Sequence, residues 1–199
     1  MGRQSDKRAR LIEAADRLFH INGYDRSSIA DIASAAGVPA GNVYYYFKAK
    51  DELVQAVIAA RNSRNAAWLK SLNVPGAPRE SLLAFITAYE DSRKERAGTG
   101  CAIGSLCQET NRIGGSLAKE ASTGLGVFLA WLTERFADLG QAPKAARADA
   151  QHLLASLQGA VLLAHSFGEP KIIKAECKRL KLWLEGFSGG VAYAEEAAS

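Results

Sequence analysis

Three tyrosines and a phenylalanine stand side by side at residues 44–47, and lysines follow at positions 48 and 50. Tyrosine hydroxyls donate to phosphate oxygens while their rings pack on sugars, and lysine neutralises phosphate charge. The cluster is therefore typical of a surface that contacts a nucleic-acid backbone. The alternative is a surface aromatic pair that another part of the chain covers, so the interpretation depends on the elements that carry these residues.

Helical spacing precedes the cluster. A first helix buries Leu11 and Phe19 and ends at Asn22-Gly23, because both of these residues tolerate left-handed backbone angles. Ser28 and Asp31 then form a capping box that starts a short second helix. The spacing thus predicts one long helix followed by a much shorter one.

A third helix follows after a tight turn. Gly37 ends the second helix, and Pro39, at a first helical position, starts the third. Two short helices joined by a glycine-containing turn and braced by a longer helix predict a helix-turn-helix over about residues 28–47.

The third helix presents different aromatics on its two sides. Advancing 100° per residue from Val43 places Phe47 on the inward face, while Gly41, Tyr44 and Tyr45 fall on the opposite half. We therefore expect Tyr44 and Tyr45 to contact a DNA backbone. Gly41, which lacks a side chain, lets the helix lie deep in the major groove.

Two neighbouring features predict further phosphate contacts. Lys50 begins a fourth helix, and Ser27 and Ser28 open the second helix, whose N-terminus offers free amides. The distribution of charge is consistent with phosphate contacts in this part of the chain. Residues 1–65 hold ten Lys and Arg against seven Asp and Glu, and so carry most of the net charge of +4. This distribution suits a small basic domain attached to a larger, nearly neutral one.

The segment RLIEAADRLFHINGYDRSSIADIASAAGVPAGNVYYYFKAKDEL resembles the N-terminal DNA-binding domain of TetR-family transcriptional regulators. The matching features are Phe19-x-x-x-Gly23-Tyr24, Ile29-x-x-Ile32-Ala33, Ala36-Gly37-Val38, Tyr44-Tyr45-Tyr46-Phe47 and Lys50-x-x-Leu53. The resemblance implies that Ser27 or Ser28, Tyr44, Tyr45 and Lys50 bind phosphate, and that the start of the third helix reads bases.

The sequence departs from the family at the start of the third helix. Pro39-Ala40-Gly41 replaces the more usual Ser-Lys-Gly type, which removes one cation. Base reading then depends on Asn42, on the tyrosines and on the methyl group of Ala40.

The resemblance also implies the architecture, an all-α fold. A three-helix DNA-binding domain at 5–65 is followed by a six-helix effector-binding and dimerisation domain at 66–190. The small, acidic tail at 191–199 is expected to fray. In the family, the last two long helices pair with their copies in a four-helix bundle. Residues 152–164 support a homodimer because their apolar stripe is wider than one core needs, although a helix buried inside its own monomer is the alternative.

A ligand pocket is expected in the second domain, next to the bundle. The candidate lining residues are Trp68, Phe85, Tyr89, Cys101, Phe128, Trp131 and His165. Each of them also suits a plain core. No charged residue stands among them, which favours an apolar or aromatic small-molecule effector.

Cys101 follows Gly100 in the stretch GCAIGSLCQE, which looks like a GC-x-x-G-x-L-x-x-E segment found in a subset of the family. A predicted helix start favours the thiolate, so Cys101 is a candidate sensor of oxidants or electrophiles. Cys107, six residues further on, is too distant along a helix for a disulfide with Cys101. The alternative is two small thiols that merely pack.

Other function classes lack support. The three histidines have no metal-ligand spacing, and no HExxH, P-loop or nucleophile elbow occurs, so we expect no metal, no cofactor and no enzyme. The three cysteines suggest a reducing cytoplasm, and no apolar run suits a membrane helix. We predict a ligand-responsive repressor that a small molecule releases from an inverted repeat in double-stranded DNA. The alternatives are a sensor acting through Cys101 and a helical ligand-binding protein that does not bind DNA.

Overall fold

The structure is a computed structural model that describes the backbone of residues 2–187 and the side chains of residues 6–187. All regular secondary structure in this range is helical, which confirms the all-α fold class. The predicted tail at 191–199 lies outside the described residues. The helices are α1 (Gly2–Asn22), α2 (Ile29–Ala35), α3 (Ala40–Tyr46), α4 (Lys50–Ser71), α5 (Pro78–Asp91), α6 (Arg93–Thr99), α7 (Ala102–Ile113), α8 (Gly115–Asp138), α9 (Pro143–Phe167) and α10 (Lys171–Glu185).

Local signals define α2 and α3. The predicted capping box is present, since Ser28 is the N-cap of α2 and exchanges hydrogen bonds with Asp31. Gly37, with φ +61°, makes the turn to α3 in a backbone region that favours glycine. Pro39 is the N-cap of α3 rather than its first helical residue, because its ψ of 134° is extended, and the helix begins at Ala40.

The helical segment that follows α4 is divided into α5 and α6. It breaks at Ser92, whose hydroxyl donates to the carbonyl oxygen of Ala88 at 2.7 Å and accepts from Nε of Arg96 at 2.8 Å. Such side-chain bonds compete with the backbone ladder of a helix. Within the described range, seven helices therefore follow α3, where six were predicted.

The chain forms two compact units. The N-terminal unit contains the residues up to Asn65 together with Cys101–Gly126, and the C-terminal unit contains Ala66–Gly100 together with the residues from Val127 onward. The predicted division placed residues 101–126 in the second domain, whereas the structure groups them with the helix-turn-helix. Both α4 and α8 contribute residues to each unit.

The core of the N-terminal unit explains this grouping. The buried side chains that α7 and the first half of α8 contribute to it are Leu106, Cys107, Leu117 and Ala121. They join an apolar cluster from the first four helices that includes Leu11, Phe19, Ile32, Val43, Phe47, Leu53 and Val57. Fully burying one leucine stabilises a fold by about 2 kcal/mol, so α7 is part of what holds the helix-turn-helix together.

The C-terminal unit has its own helical core. Within it, α10 packs on α9 and α5, and α6 packs on α9. Its fully buried side chains include Leu82, Phe85, Ile86, Leu132, Phe136, Leu153, Leu157, Ile173 and Leu184. Between residues 2 and 187, no helix has the length and apolar character needed to cross a bilayer.

Candidate nucleic-acid interface

The outward side of α3 carries the exposed aromatic pair. Tyr44 and Tyr45 expose 56% and 65% of their surface, whereas Val43 and Phe47 are buried in the core of the N-terminal unit. The ring of Tyr45 meets that of Tyr46 edge-on, with centroids 5.1 Å apart. The buried contacts of Val43 and Phe47 fix the orientation of α3, and this orientation directs the rings of Tyr44 and Tyr45 outward.

The start of α3 is open. Pro39, Ala40, Gly41 and Asn42 are all exposed. A Cβ added at Gly41 would meet no atom within 4 Å, and this glycine is not among the positive-φ glycines of the described chain. Neither packing nor backbone conformation therefore requires glycine at this position. The absence of a side chain leaves open space next to Tyr44 and Tyr45.

The two serines at the start of α2 differ in accessibility. Ser27 is fully buried and its hydroxyl donates to the carbonyl oxygen of Gly23 at 2.8 Å, so the structure does not place its side chain on this surface. Ser28 is exposed, but its hydroxyl donates to the Asp31 carboxylate at 2.6 Å and accepts from the Asp31 amide at 3.1 Å. Hydrogen bonds from Ser28 hold the pKa of the Asp31 carboxyl below its usual range. A phosphate approaching this cap therefore meets a carboxylate.

Lys50 is half-buried at the first turn of α4. Its Nζ donates to the carbonyl oxygen of Tyr24 and lies 4.0 Å from the centroid of the Tyr24 ring. Burial lowers the pKa of the ammonium, and the carboxylates of Asp25, Asp51 and Glu109 act in the opposite direction. An ammonium group has three donors, so Lys50 retains donors for a phosphate while it holds the turn.

Two further cations stand next to α3: Lys48, which the sequence placed in the cluster without assigning it a contact, and Arg8, which the sequence did not single out. Lys48 is exposed, and its Nζ donates to the carbonyl oxygen of Tyr44 at 3.1 Å. The guanidinium of Arg8 on α1 lies 5.1 Å from the centroid of the Phe47 ring. The signal for Lys48 was its place directly after the aromatic run, whereas the approach of Arg8 depends on how α1 packs.

The α1–α2 turn is held by a distant residue that the sequence reasoning did not single out. Glu109 on α7 accepts from the backbone amide of Tyr24 at 2.6 Å and, more weakly, from that of Asp25 at 3.4 Å. The hydroxyl of Tyr24 donates to Asp51 at 2.6 Å, and burial is the main cause that raises the pKa of this tyrosine. The N–H, the hydroxyl and the carbonyl of Tyr24 are therefore all bonded to other elements.

The buried side chain of Arg61 links the first turn of α7 to other helices of the same unit. Arg61 on α4 is buried, pairs with the carboxylate of Asp16 on α1, and donates to the Asp16 carbonyl oxygen at 3.0 Å. It also donates to the carbonyl oxygen of Ala102, in the first turn of α7, at 2.7 Å. A single guanidinium thus links three helices of the N-terminal unit.

Five of the predicted pocket residues meet in the C-terminal unit. Phe85 lies at their centre, and its ring centroid is 5.1–6.0 Å from four neighbouring rings. Those four neighbours are the rings of Trp68, Tyr89, Phe128 and Trp131. Such tilted contacts at van der Waals distance are what a packed aromatic core requires.

The other two predicted pocket residues lie elsewhere. His165 is an exposed residue of α9 whose Nδ1 is 3.1 Å from the carbonyl oxygen of Ala97. Cys101 belongs to the N-terminal unit, where it is the N-cap of α7, and its sulfur accepts from the amide of Gly104 at 3.4 Å. The structure therefore does not bring these two side chains into the aromatic cluster around Phe85.

A charged cavity of about 510 Å³ lies on α10 of the C-terminal unit. Its lining residues are Glu90, Lys171, Lys174, Ala175, Lys178, Lys181, Leu182 and Glu185. Lys181 pairs with Glu90 at 2.7 Å, and this hydrogen bond is the main cause that lowers the pKa of Glu90. The cavity is thus lined by charged groups, unlike the apolar pocket that the sequence predicted.

Comparisons with known proteins agree with the geometry of the N-terminal unit. The profile of the family "Bacterial regulatory proteins, tetR family" matches residues 11–57. The HTH-type transcriptional regulator TtgR of Pseudomonas putida is 49% identical over 53 residues, which cover 27% of this chain and 25% of TtgR. The match to TtgR therefore spans about a quarter of that relative's length.

Two longer alignments extend beyond this segment. The HTH-type transcriptional repressor DhaR of a Mycobacterium species is 28% identical over 78% of this chain and 80% of its own length. A TetR transcriptional regulator from Chloroflexus aurantiacus superposes with a TM-score of 0.83 at 20% identity, covering 94% of this chain and 98% of that one. At such identity, the superposition establishes the fold.

Proposed function

We propose that this chain is a transcriptional regulator that binds double-stranded DNA through α3 and represses transcription. The match of residues 11–57 to the family of bacterial regulatory proteins of the tetR type supports this proposal. The observation that carries the proposal is the exposed pair of Tyr44 and Tyr45 beside the open space at Gly41. Exposed phenol rings gain little from water, but they bind well to a sugar-phosphate backbone. The relative DhaR is a transcriptional repressor, which supports this direction of control.

Phosphate contacts and base contacts are divided along the helix. Tyr44, Tyr45 and Lys50 bind phosphates, and these contacts fix the position of α3 without reading sequence. Ala40 and Asn42, at the start of α3, face the bases, where an asparagine side chain suits adenine and a methyl group suits thymine.

The regulator acts as a homodimer on an inverted repeat. On α9, Gly159, Leu162, Leu163 and Phe167 follow the spacing i, i+3, i+4 and i+8, which places them on one side of the helix, and all four are exposed. Leu162 exposes 56% of its surface and Phe167 exposes 67%. A second copy that covers this face would give two copies of α3 for two half-sites, spaced by about one DNA turn, roughly 34 Å, or a small multiple of it.

A small-molecule effector releases the DNA. Trp68, near the end of α4, packs in the aromatic cluster of the C-terminal unit, while Lys50 begins the same helix in the N-terminal unit. An apolar or aromatic ligand that separates the rings around Phe85 displaces the end of α4 and disturbs the interface at its start. A preference of about 3 kcal/mol for the displaced state lowers the affinity for DNA by up to roughly 150-fold.

Binding to selected DNA tests the proposal. The wild-type protein is incubated with random duplexes, the bound fraction is amplified through several rounds, and its affinity is measured by fluorescence anisotropy. We expect enrichment of an inverted repeat and binding of one dimer to each duplex. A protein that enriches no sequence and binds duplex DNA no better than an acidic polymer is the helical ligand-binding protein of the alternative hypothesis.

A second candidate function, sensing through Cys101, is favoured by the placement of the thiols. Cys101 is half-exposed at the N-cap of α7, while Cys107 and Cys177 are buried. Its thiolate sulfur adds to the β-carbon of an α,β-unsaturated carbonyl compound, and the resulting enolate takes up the proton that the thiol lost. Movement of α7 away from the N-terminal core would then weaken DNA binding.

Alkylation rates test this second candidate. Burial raises the pKa of Cys177 to about 11 and also raises that of Cys107, so iodoacetamide at pH 7 should modify Cys101 first. Mass spectrometry of peptides from a time course gives the order. The sensing role is excluded when Cys101→Ser leaves the response of DNA binding to an electrophile intact.

A further inference from the structure

The turn between α1 and α2 is in direct contact with α7. Gly23 has a φ of +86°, and a Cβ placed on it would lie 3.1 Å from both carboxylate oxygens of Glu109. The same carboxylate accepts from the amide of Tyr24 at 2.6 Å, across a sequence separation of 85 residues. The Glu109 carboxylate therefore lies directly against the turn and binds its backbone.

Hydrogen bonds connect this turn directly to the start of the helix-turn-helix. The buried hydroxyl of Ser27 donates to the Gly23 carbonyl oxygen at 2.8 Å, and the amide of Ser27 donates to the Tyr24 carbonyl oxygen at 3.2 Å. The next residue, Ser28, is the N-cap of α2. A shift of the turn consequently moves the cap of α2, and α2 packs on α3.

The position of α7 is itself fixed at both ends. Arg61 donates to the carbonyl oxygen of Ala102 in the first turn of α7, and Glu109 binds the Tyr24 amide from its last half. Between them, Leu106 and Cys107 are buried in the N-terminal core. Helix α7 thus acts as a brace that joins α1 and α4 to the turn in front of α2.

We propose that Glu109 is a positioning residue of the DNA interface: its carboxylate holds the α1–α2 turn, and so the orientation of α2 and α3, in the form that binds DNA. The inference rests on the proposed function and adds the element through which DNA affinity is set. Displacing α7 breaks the bond to the Tyr24 amide and weakens DNA binding without touching a DNA-contacting residue.

The test compares three variants at one position with a control on the same helix. Glu109→Ala removes the acceptor, Glu109→Asp shortens the side chain by one methylene group, and Glu109→Gln keeps an acceptor oxygen but removes the charge. Gln108→Ala changes an exposed neighbour and serves as the matched control. Affinity for a duplex selected by the wild-type protein is measured at several salt concentrations, together with hydrogen exchange at the amides of Tyr24 and Asp25.

We expect Glu109→Ala to weaken DNA binding by about tenfold, as the loss of one charge-assisted hydrogen bond implies. Glu109→Asp and Glu109→Gln should lie between Glu109→Ala and the wild type, since the first shortens the reach and the second weakens the acceptor, while Gln108→Ala should bind about as well as the wild type. The slope of log affinity against log salt should stay unchanged in every variant, because Glu109 neutralises no phosphate. Exchange at the Tyr24 amide should accelerate in Glu109→Ala and not in Gln108→Ala.

Several results would overturn the inference. Equal gains of affinity in Glu109→Ala and Glu109→Gln would show that the carboxylate acts only by repelling DNA. Unchanged affinity and unchanged exchange in Glu109→Ala would show that the turn holds its form without the carboxylate. If Glu109→Ala does not fold, the affinity and amide exchange of Glu109→Asp test the inference in its place. If the wild-type protein binds no duplex at all, both the proposed function and this inference are wrong.

Discussion

The two units use their aromatic side chains in opposite ways. In the N-terminal unit, Tyr44 and Tyr45 point outward and expose more than half of their surface. In the C-terminal unit, Phe85 is fully buried among four other rings. Buried rings stabilise a fold through contacts inside the chain, whereas exposed rings gain contacts only from a partner. Substitution of Phe85 should therefore lower the free energy of unfolding, whereas substitution of Tyr44 and Tyr45 should lower the affinity for DNA.

The largest effect is expected in the buried cluster. Phe85→Ala removes the ring at its centre and should lower the free energy of unfolding by about 3–5 kcal/mol, since the loss of apolar contact adds to the cost of a cavity. Urea unfolding followed by circular dichroism measures the change. Val74→Ala, at an exposed position, is the control and should stay close to the wild type. A loss below about 1 kcal/mol for Phe85→Ala would mean that the rings do not pack as a core.

The exposed pair should show the reverse behaviour. The double substitution Tyr44→Ala and Tyr45→Ala should weaken DNA binding by about 2–3 kcal/mol, because two phosphate hydrogen bonds and their ring contacts are lost. Stability should change by less than about 0.5 kcal/mol, as is usual at exposed positions. Anisotropy gives the affinity and urea unfolding the stability, with Ile113→Ala as an exposed control on α7. Loss of stability with retained DNA binding would reverse the assignment of the two regions.

A smaller effect is expected at Lys50. Lys50→Ala should reduce the slope of log affinity against log salt by about one unit, because one phosphate loses its neutralising cation. Lys70→Ala, an exposed substitution in the last turn of the same helix, should leave the slope unchanged. An unchanged slope in Lys50→Ala would mean that the ammonium serves only the Tyr24 carbonyl.

The smallest effect is expected from removing one hydroxyl. Tyr45→Phe should cost about 1 kcal/mol of binding to every duplex tested, because a phosphate contact carries no base identity. Tyr46→Phe makes the same chemical change on the half-buried side of α3 and should have no effect on DNA binding. A loss confined to one DNA sequence would instead assign the Tyr45 hydroxyl to base reading.

Short-range signals made the helix-turn-helix predictable. The capping box of Ser28 and Asp31, the glycine turn at Gly37 and the helical spacing around Val43 each involve residues within a few positions of one another. Local hydrogen bonds and backbone preferences determine such features, so they can be read from a single sequence. The start of α3 was misplaced by one residue because Pro39 suits both the N-cap and the first helical position.

Contacts between distant segments were not predictable in the same way. Three features depend on packing between segments far apart in the sequence. They are the burial of Ser27, the hydrogen bond from Lys50 to the Tyr24 carbonyl oxygen, and the hydrogen bond from the Tyr24 amide to Glu109. The grouping of Cys101 with the N-terminal unit has the same origin. Nothing in the local spacing marks these partners, since tertiary packing alone brings them together.

The discontinuous N-terminal unit has a consequence for how the protein is made. Its core needs side chains from α7 and the first half of α8, and these segments leave the ribosome only after the intervening residues 66–100. A nascent chain that ends near residue 65 has an incomplete core, with the apolar surface against which Leu106 and Leu117 pack still open to water. Such surface is a target for chaperones and a cause of aggregation during translation. The helix-turn-helix therefore reaches its final form only after part of the second half of the chain has been synthesised.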